Sequence, residues 1–443
     1  MDDVDPAREG GVDEVGEVCT VAAGVRAEVQ LGVREEHPAS VSTSADVVVI
    51  GAGVIGLAIA WELVRAGRDV RIIDPSPASG ATYAAAGMIA PISEERLTEP
   101  ALHALAVASA SRYPAFVATL PDACGYEDAA TLLVAVDDAD RRMLDDVAAR
   151  HPDRVEHLTT RETRRLEPLL GPRLSAVRRV HEHRIDPRAL AARLRAVLGD
   201  RIVRKRATGL RRADTASPVT GVDFADGTAI SAYEVVVAAA LGSTDIAGMP
   251  ADLRLRPVYG DILRLGIPDH LRPLLAHTVR AHVRGASVYL VPRRDGTVVI
   301  GATQREHGGP AVSAGGVYEL LRDAAIAVPA VAELTLHEVT ARPRPVTPDN
   351  APLLGRAAPG LIIATGFGRH GVMLAPIAAA AVRALVVGDA PPAIESFRPD
   401  RFTGAPGSDA PGPPVAAVSD AEPRVPHFPS THRAHPTESL ETS

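Results

Sequence analysis

Three glycines in "DVVVIGAGVIGLAIAWELV", residues 46–64, stand at positions 51, 53 and 56, behind a β-branched run and ahead of an apolar stretch with helical spacing. The types and the spacing describe a strand, a tight turn and a helix whose N-terminus faces something negative. Gly51 permits the turn, Gly53 lets backbone approach a pyrophosphate, and Gly56 lets helix meet strand, so that phosphates rest on free amides at the positive helix end. The next strand, "DVRIIDP", ends on Asp74, 23 residues beyond Gly51. A carboxylate there accepts from a ribose hydroxyl. In this context the spacing predicts a dinucleotide site rather than a structural turn.

Which dinucleotide follows from two further stretches. "SGATYAAAGMIAP" (79–91) packs small residues where a helix N-terminus must lie close to a large flat ligand, which a nicotinamide does not require. "TGFGRHG" (365–371) repeats the glycine spacing between the strand "LIIAT" and a helix, but no strand ending in an acid follows it. It reads as a second helix N-terminus, its amides facing the pyrimidine edge of a flavin, where negative charge develops on reduction. FAD is the expected cofactor. Lys205 is the one lysine, which argues against pyridoxal chemistry.

These residues need a scaffold. Strands and helices alternate from Asp46 to about Arg401; Asp186 and Pro187 open a helix, and hairpins turn at Asp226-Gly227 and Asp295-Gly296. Parallel βαβ material at both ends with hairpins between predicts an α/β fold. A Rossmann-like FAD-binding domain (45–124, 183–246 and 340–401) is interleaved with an antiparallel-sheet α+β substrate domain (125–182 and 247–339). An acidic extension (1–44) and a Pro/Gly/Ser-rich tail (402–443) read as disordered.

Composition narrows the class. Of 443 residues 46% are hydrophobic but only 3% aromatic, so the core is built from Ala, Val, Leu and Ile. The net charge of -8 sits in the ends: residues 1–44 carry ten acids against three bases. The nearly neutral body has no basic stripe for nucleic acid. Two cysteines, Cys19 and Cys124, make no disulfide framework, the start has no apolar leader, and Val47–Trp61 is too short and glycine-rich for a membrane span. The expectation is a cytoplasmic protein without nucleic-acid or membrane partners. No metal site is read.

Five stretches, "VVVIGAGVIGLAIAWEL", "ATYAAAGMIAP", "YLVPRRDGTVVIGAT", "RPVTPDNAPLLGR" and "ATGFGRHGVMLAP", together resemble the D-amino-acid-oxidase-type flavoproteins, most of all the glycine oxidases of thiamine biosynthesis. The resemblance spans about residues 45–400. It implies non-covalent FAD contacted by Val54, Ile55, Asp74, Pro75, Ala81, Thr82, Ala86, Gly87 and Met88, by Ala207 or Thr208, and by the turn Gly366, Phe367, Gly368, Arg369, His370, Gly371, Val372 and Met373. It implies a substrate carboxylate held by Arg344 and Arg369, with Tyr289 as a further donor. His370 beside Arg369 is not read as a base, since hydride transfer from a neutral amine requires none. The implied reaction is oxidation of glycine to its imine, then glyoxylate and ammonia, with electrons passing to molecular oxygen, as H2O2, or to another acceptor. The alternatives are a D-amino-acid or sarcosine oxidase or dehydrogenase and, from another class, a flavin-binding protein without turnover. The resemblance leaves room for a homo-oligomer. Two departures stand out: Gly366–Gly371 differs from the family's usual Gly-His-Tyr/Phe-Arg-Asn-Gly, and Gln304 stands where sarcosine-type relatives carry a lysine.

Overall fold

The computed structural model describes residues 43–402, apart from Ala123, Pro250, Ala251 and Gly308. The extension read over 1–44, but for its last two residues, and the tail read over 402–443, but for Phe402, lie outside the described residues, as does Cys19.

The β-branched run that precedes Gly51 forms β1 (Ser44–Ile50), in which Val47, Val48 and Val49 are buried on both faces. Burial on both faces explains why the run is continuously apolar rather than alternating. β1 sits inside a sheet ordered Leu353–Ala358, Leu361–Thr365, Ala229–Val237, β1, β2 (Val70–Ile73), Ile202–Val203. Neighbours from Leu361–Thr365 to Ile202–Val203 are parallel. Gly221–Phe224 pairs antiparallel with Ala229–Val237 in a hairpin that turns at Asp226-Gly227 as expected, and Ala207–Arg211 pairs antiparallel with Gly221–Phe224 beyond it. α1 (Val54–Arg65) follows the glycine turn and packs on the last long helix, Gly371–Val387, and Leu57, Ala58, Ala375, Ala378 and Ala379 are buried in the core the two helices share. With so few aromatics, close approach through alanine is how this core fills. Asp186 caps Pro187–Leu198, its carboxylate accepting from the Arg188 and Ala189 amides.

The second sheet runs Thr335–Val346, Arg256–Gly266, Thr297–Gly301, Ala286–Pro292, Thr278–Val283, Thr131–Ala135, Ala176–Val180, Val155–Leu158. Every pairing is antiparallel except that of Thr278–Val283 with Thr131–Ala135. The helix Ala314–Ala327 covers it with Leu320, Ala324 and Ala327. The fold is thus a Rossmann-like parallel layer joined to an antiparallel α+β layer. Thr335–Val346 belongs to the second sheet along its whole length and runs unbroken through residue 340, where the sequence reading sets a domain boundary.

Among the described residues one stretch, Gly368–Val387, is long and apolar enough to cross a membrane, and 67% of its most apolar 18-residue window is buried inside the fold.

Candidate active site

A cavity of about 1490 Å³ is lined by residues of both sheets. At one end stands the glycine turn. Gly51 has φ +107°, and a Cβ there would fall 2.4 Å from the Ala238 carbonyl oxygen. A Cβ on Gly56 would fall 1.9 Å from the Gly51 oxygen, so the helix can begin only on this loop; Gly56 itself is off the cavity wall. Gly51, Gly53, Val54 and Ile55 line the wall. Asp74 braces the loop: Oδ2 accepts from the Ala52 amide at 2.6 Å and Oδ1 from the Ser76 amide at 2.7 Å. The Thr82 hydroxyl accepts from the Val54 amide at 3.0 Å.

Asp74, Pro75, Ala81, Thr82, Ala86, Gly87 and Met88 follow along the same wall, with Ala207 from the hairpin. Thr208 is not on it, because its hydroxyl turns back to the Asp223 carbonyl at 3.1 Å. Gly366, Phe367, Gly368, Arg369, Gly371, Val372 and Met373 complete this side. His370 does not reach the cavity: it closes the short 3-10 turn Gly368–His370, and its ring enters the core, 4% exposed. In both helices that start at the cavity, α1 and Gly371–Val387, the N-cap residue makes no side-chain cap and the first turn holds no acid, although Thr82 takes the first amide of α1. Two positive helix ends opening on one cavity, with small residues between them, fit a pyrophosphate and a flavin pyrimidine.

Beyond that wall the second sheet supplies Arg344, Tyr289 and Arg280. Arg344 lies on Thr335–Val346 opposite Val258, and its guanidinium rests against Gly260, where a Cβ would fall 2.1 Å from Nη2. Nη1 donates to the Thr303 carbonyl at 3.3 Å. No carboxylate among the described residues pairs with Arg344. Burial, then nearby Arg369, lower its pKa, while Tyr289 and Glu94 oppose that shift. Burial pushes the Tyr289 phenol up to about 12, so at neutral pH it keeps its hydrogen and can donate. Arg369, from the second glycine turn, lines the same cavity but is held by Glu99 at 2.8 Å, whose other oxygen accepts from Asn350 at 3.0 Å.

Three of these groups lie outside any stretch singled out from sequence: Glu94, Glu99 and Arg280. Arg280 pairs across the sheet with Tyr289 and bonds Glu94 at 3.1 Å. The other Glu94 oxygen is 3.8 Å from His370 Nε2. Burial, with Arg369, Arg96 and Arg280, drives His370 well below its ordinary pKa, which keeps the ring neutral. Its Nδ1 has no partner among the described residues. Strand register alone brings Arg280 beside Tyr289, and register is what a reading of short motifs does not contain.

Residues 46–385 match the FAD dependent oxidoreductase (DAO) family. The chain belongs to this family, and FAD is its cofactor. It is 30% identical to the bifunctional protein ThiO/ThiG of Trichormus variabilis over 81% of this chain and 55% of that one. It therefore spans little more than half of that relative. To the glycine oxidase of Bacillus licheniformis it is 28% identical over 80% of this chain and 97% of that one. Two solved structures share the fold at TM-score 0.73 and 28% identity. One is glycine oxidase from Geobacillus kaustophilus, covering 82% of this chain and 100% of that one. The other is iminodiacetate oxidase from Chelativorans sp. BNC1, covering 80% and 98%.

Proposed function

We propose that this oxidoreductase oxidises small amino acids, glycine first among them, to the imine, which water converts to glyoxylate and ammonia. The observation that carries the reading is Arg344, a half-buried guanidinium on the cavity wall with no carboxylate partner among the described residues, while Arg280 and Arg369 are each paired to a glutamate. An unpaired, partly buried cation is costly unless an anion arrives with the substrate. Arg344 holds the substrate carboxylate through two parallel bonds, and the Tyr289 hydroxyl donates a further one. Arg369, tethered by Glu99, adds positive charge at the same end.

The flavin, when bound, supplies the hydride acceptor. The chain's part is to fix the substrate by its carboxylate so that Cα faces that acceptor, and to keep water out. His370, turned away from the cavity, is not placed to take the amine's proton, so hydride transfer draws on the fraction of substrate whose amine is already neutral. Oxygen as electron acceptor, with release of H2O2, is supported by relatives named glycine oxidase, and a place in thiamine biosynthesis, at the formation of its thiazole, by one named as a thiamine biosynthesis oxidoreductase. A second reading, an amine bearing two carboxylates, is favoured by the likeness to iminodiacetate oxidase, and would require Arg280 on the same wall to exchange Glu94 for the second carboxylate.

Steady-state turnover with glycine, sarcosine, D-alanine and iminodiacetate, following both peroxide and an artificial electron acceptor, tests the proposal. Glycine should give the highest kcat/KM. Preference for iminodiacetate would establish the second reading, and no turnover with any of the four would overturn both.

A further inference from the structure

At the rim of the cavity two imidazoles converge on one carboxylate. Glu95 lies in the wall segment 92–97, His103 on the helix Pro100–Ala110, and His151 caps the end of Asp138–Arg150. His151 Nε2 is 2.9 Å from Glu95 Oε2, His103 Nε2 is 3.7 Å from Oε1, and one donor atom from each residue lies within 4.8 Å of the others. The side chains are 12–20% exposed, sheltered yet open to exchange with solvent.

The tautomer of His103 decides what this arrangement accommodates. Its Nδ1 is 3.2 Å from the Pro91 carbonyl oxygen, which can only accept. Nδ1 therefore carries the hydrogen, and Nε2 of the neutral ring turns a lone pair toward Glu95 Oε1. Two lone pairs facing each other repel unless a proton or a metal ion stands between them. Their 3.7 Å separation exceeds an N–H···O bond of about 2.7–3.2 Å. It is close to the roughly 3.4 Å between two ligands of a tetrahedral zinc ion whose bonds are about 2.0–2.2 Å. A carbonyl on the far nitrogen is also how metal-bound histidines are oriented. Arg150 Nε and His151 Nε2 lie 3.0 and 2.9 Å from Glu95 Oε2, which leaves Oε1 for the ion and requires the His151 hydrogen to move to Nδ1 when Nε2 ligates.

We infer that Glu95, His103 and His151 form a site for one divalent transition-metal ion of the zinc type, with a fourth position open to water. Two imidazoles and a carboxylate suit such an ion. The ion ties segment 92–97, which carries Glu94 and Arg96 into the cavity wall, to the helices Pro100–Ala110 and Asp138–Arg150. It is thus a clamp on the rim and stands apart from the amine chemistry. A second group, Asp128 with His181 and His183, has Asp128 and His181 60% and 63% exposed and serves as the control.

The test uses the full, FAD-loaded chain stripped with a chelator and titrated with Zn2+ by calorimetry at neutral pH, with X-ray absorption at the zinc edge of the loaded protein. One ion per chain is expected, with two imidazoles in its shell. His103→Gln and His151→Gln should each weaken binding at least about tenfold, while His181→Gln with His183→Gln leaves it unchanged. Zn2+ should raise the Tm of the wild type and not that of the His103→Gln/His151→Gln double variant. Flavin content reports folding of each variant. If one fails to fold, the wild-type absorption spectrum decides, and a shell with fewer than two imidazoles overturns the site. So does the lack of a saturable site, equal affinity in the double variant, or loss of binding with the control pair.

Discussion

On the proposed reading, Arg344 is the charge that awaits the substrate's carboxylate, and removing it would leave that carboxylate without a partner at a cost of about 3–5 kcal/mol. Arg344→Ala should therefore lose at least about a hundredfold in kcat/KM for glycine and keep its flavin spectrum, whereas Arg344→Lys recovers only part, since an ammonium cannot form the two-pronged pair. Steady-state kinetics on FAD-loaded variants check this. Arg344 was legible because it opens the stretch "RPVTPD", but its lack of a carboxylate partner was not, because pairing is a property of the folded chain. His370 stood within a glycine turn and its sequence position does not reveal that the ring points inward. Its folded pKa lies below the unfolded value of about 6.5, so the unfolded chain binds the proton more readily. The stability tied to neutral His370 is present above about pH 6.5 and is lost as pH falls toward the folded pKa. Denaturant midpoints should fall between pH 7 and 5.5, less steeply in His370→Gln than in the wild type.

At the scale of elements, the local signals translated well. The strand–turn–helix at Gly51, the Asp186 cap and the hairpin turns at Asp226-Gly227 and Asp295-Gly296 are written in adjacent residues, and the chain folds them so. What was hidden is set by the pairing of strands distant in sequence. Gly260 carries no motif, yet it sits beneath the Arg344 guanidinium because Arg256–Gly266 pairs with Thr335–Val346. Gly260→Ala would place a methyl 2.1 Å from Arg344 Nη2, and the side chain must move. The expected result is a loss in kcat/KM of about tenfold or more with FAD content unchanged, the size of a displaced charge-assisted bond. Full activity would show that the guanidinium has another resting place. Gly56→Ala acts at the other end of the cavity: the 1.9 Å approach to the Gly51 oxygen forces the helix off its loop, so this variant should be purified with little flavin.

Over the whole molecule, the parallel layer brings two helix N-termini without an acid in the first turn to one side of the cavity and the antiparallel layer brings Arg344, Tyr289 and Arg280 to the other. The parallel layer was more legible, since its glycine turns are local. The wall opposite comes from strands whose register no short stretch encodes. A cofactor held only by such contacts should leave entirely on acid denaturation as free FAD, and FAD at about 100 times its Kd should stabilise the fold by about 2.7 kcal/mol, read as a rise in Tm over the apoprotein. Flavin left on the precipitated chain would contradict non-covalent binding. The most direct measurement of the account is anaerobic mixing of the FAD-loaded protein with glycine, followed by the flavin absorbance. The account predicts that the oxidised flavin band bleaches in the wild type and persists in Arg344→Ala at the same glycine concentration. A wild-type flavin that stays oxidised at saturating glycine, or an Arg344→Ala flavin that bleaches as fast as the wild type, would contradict it.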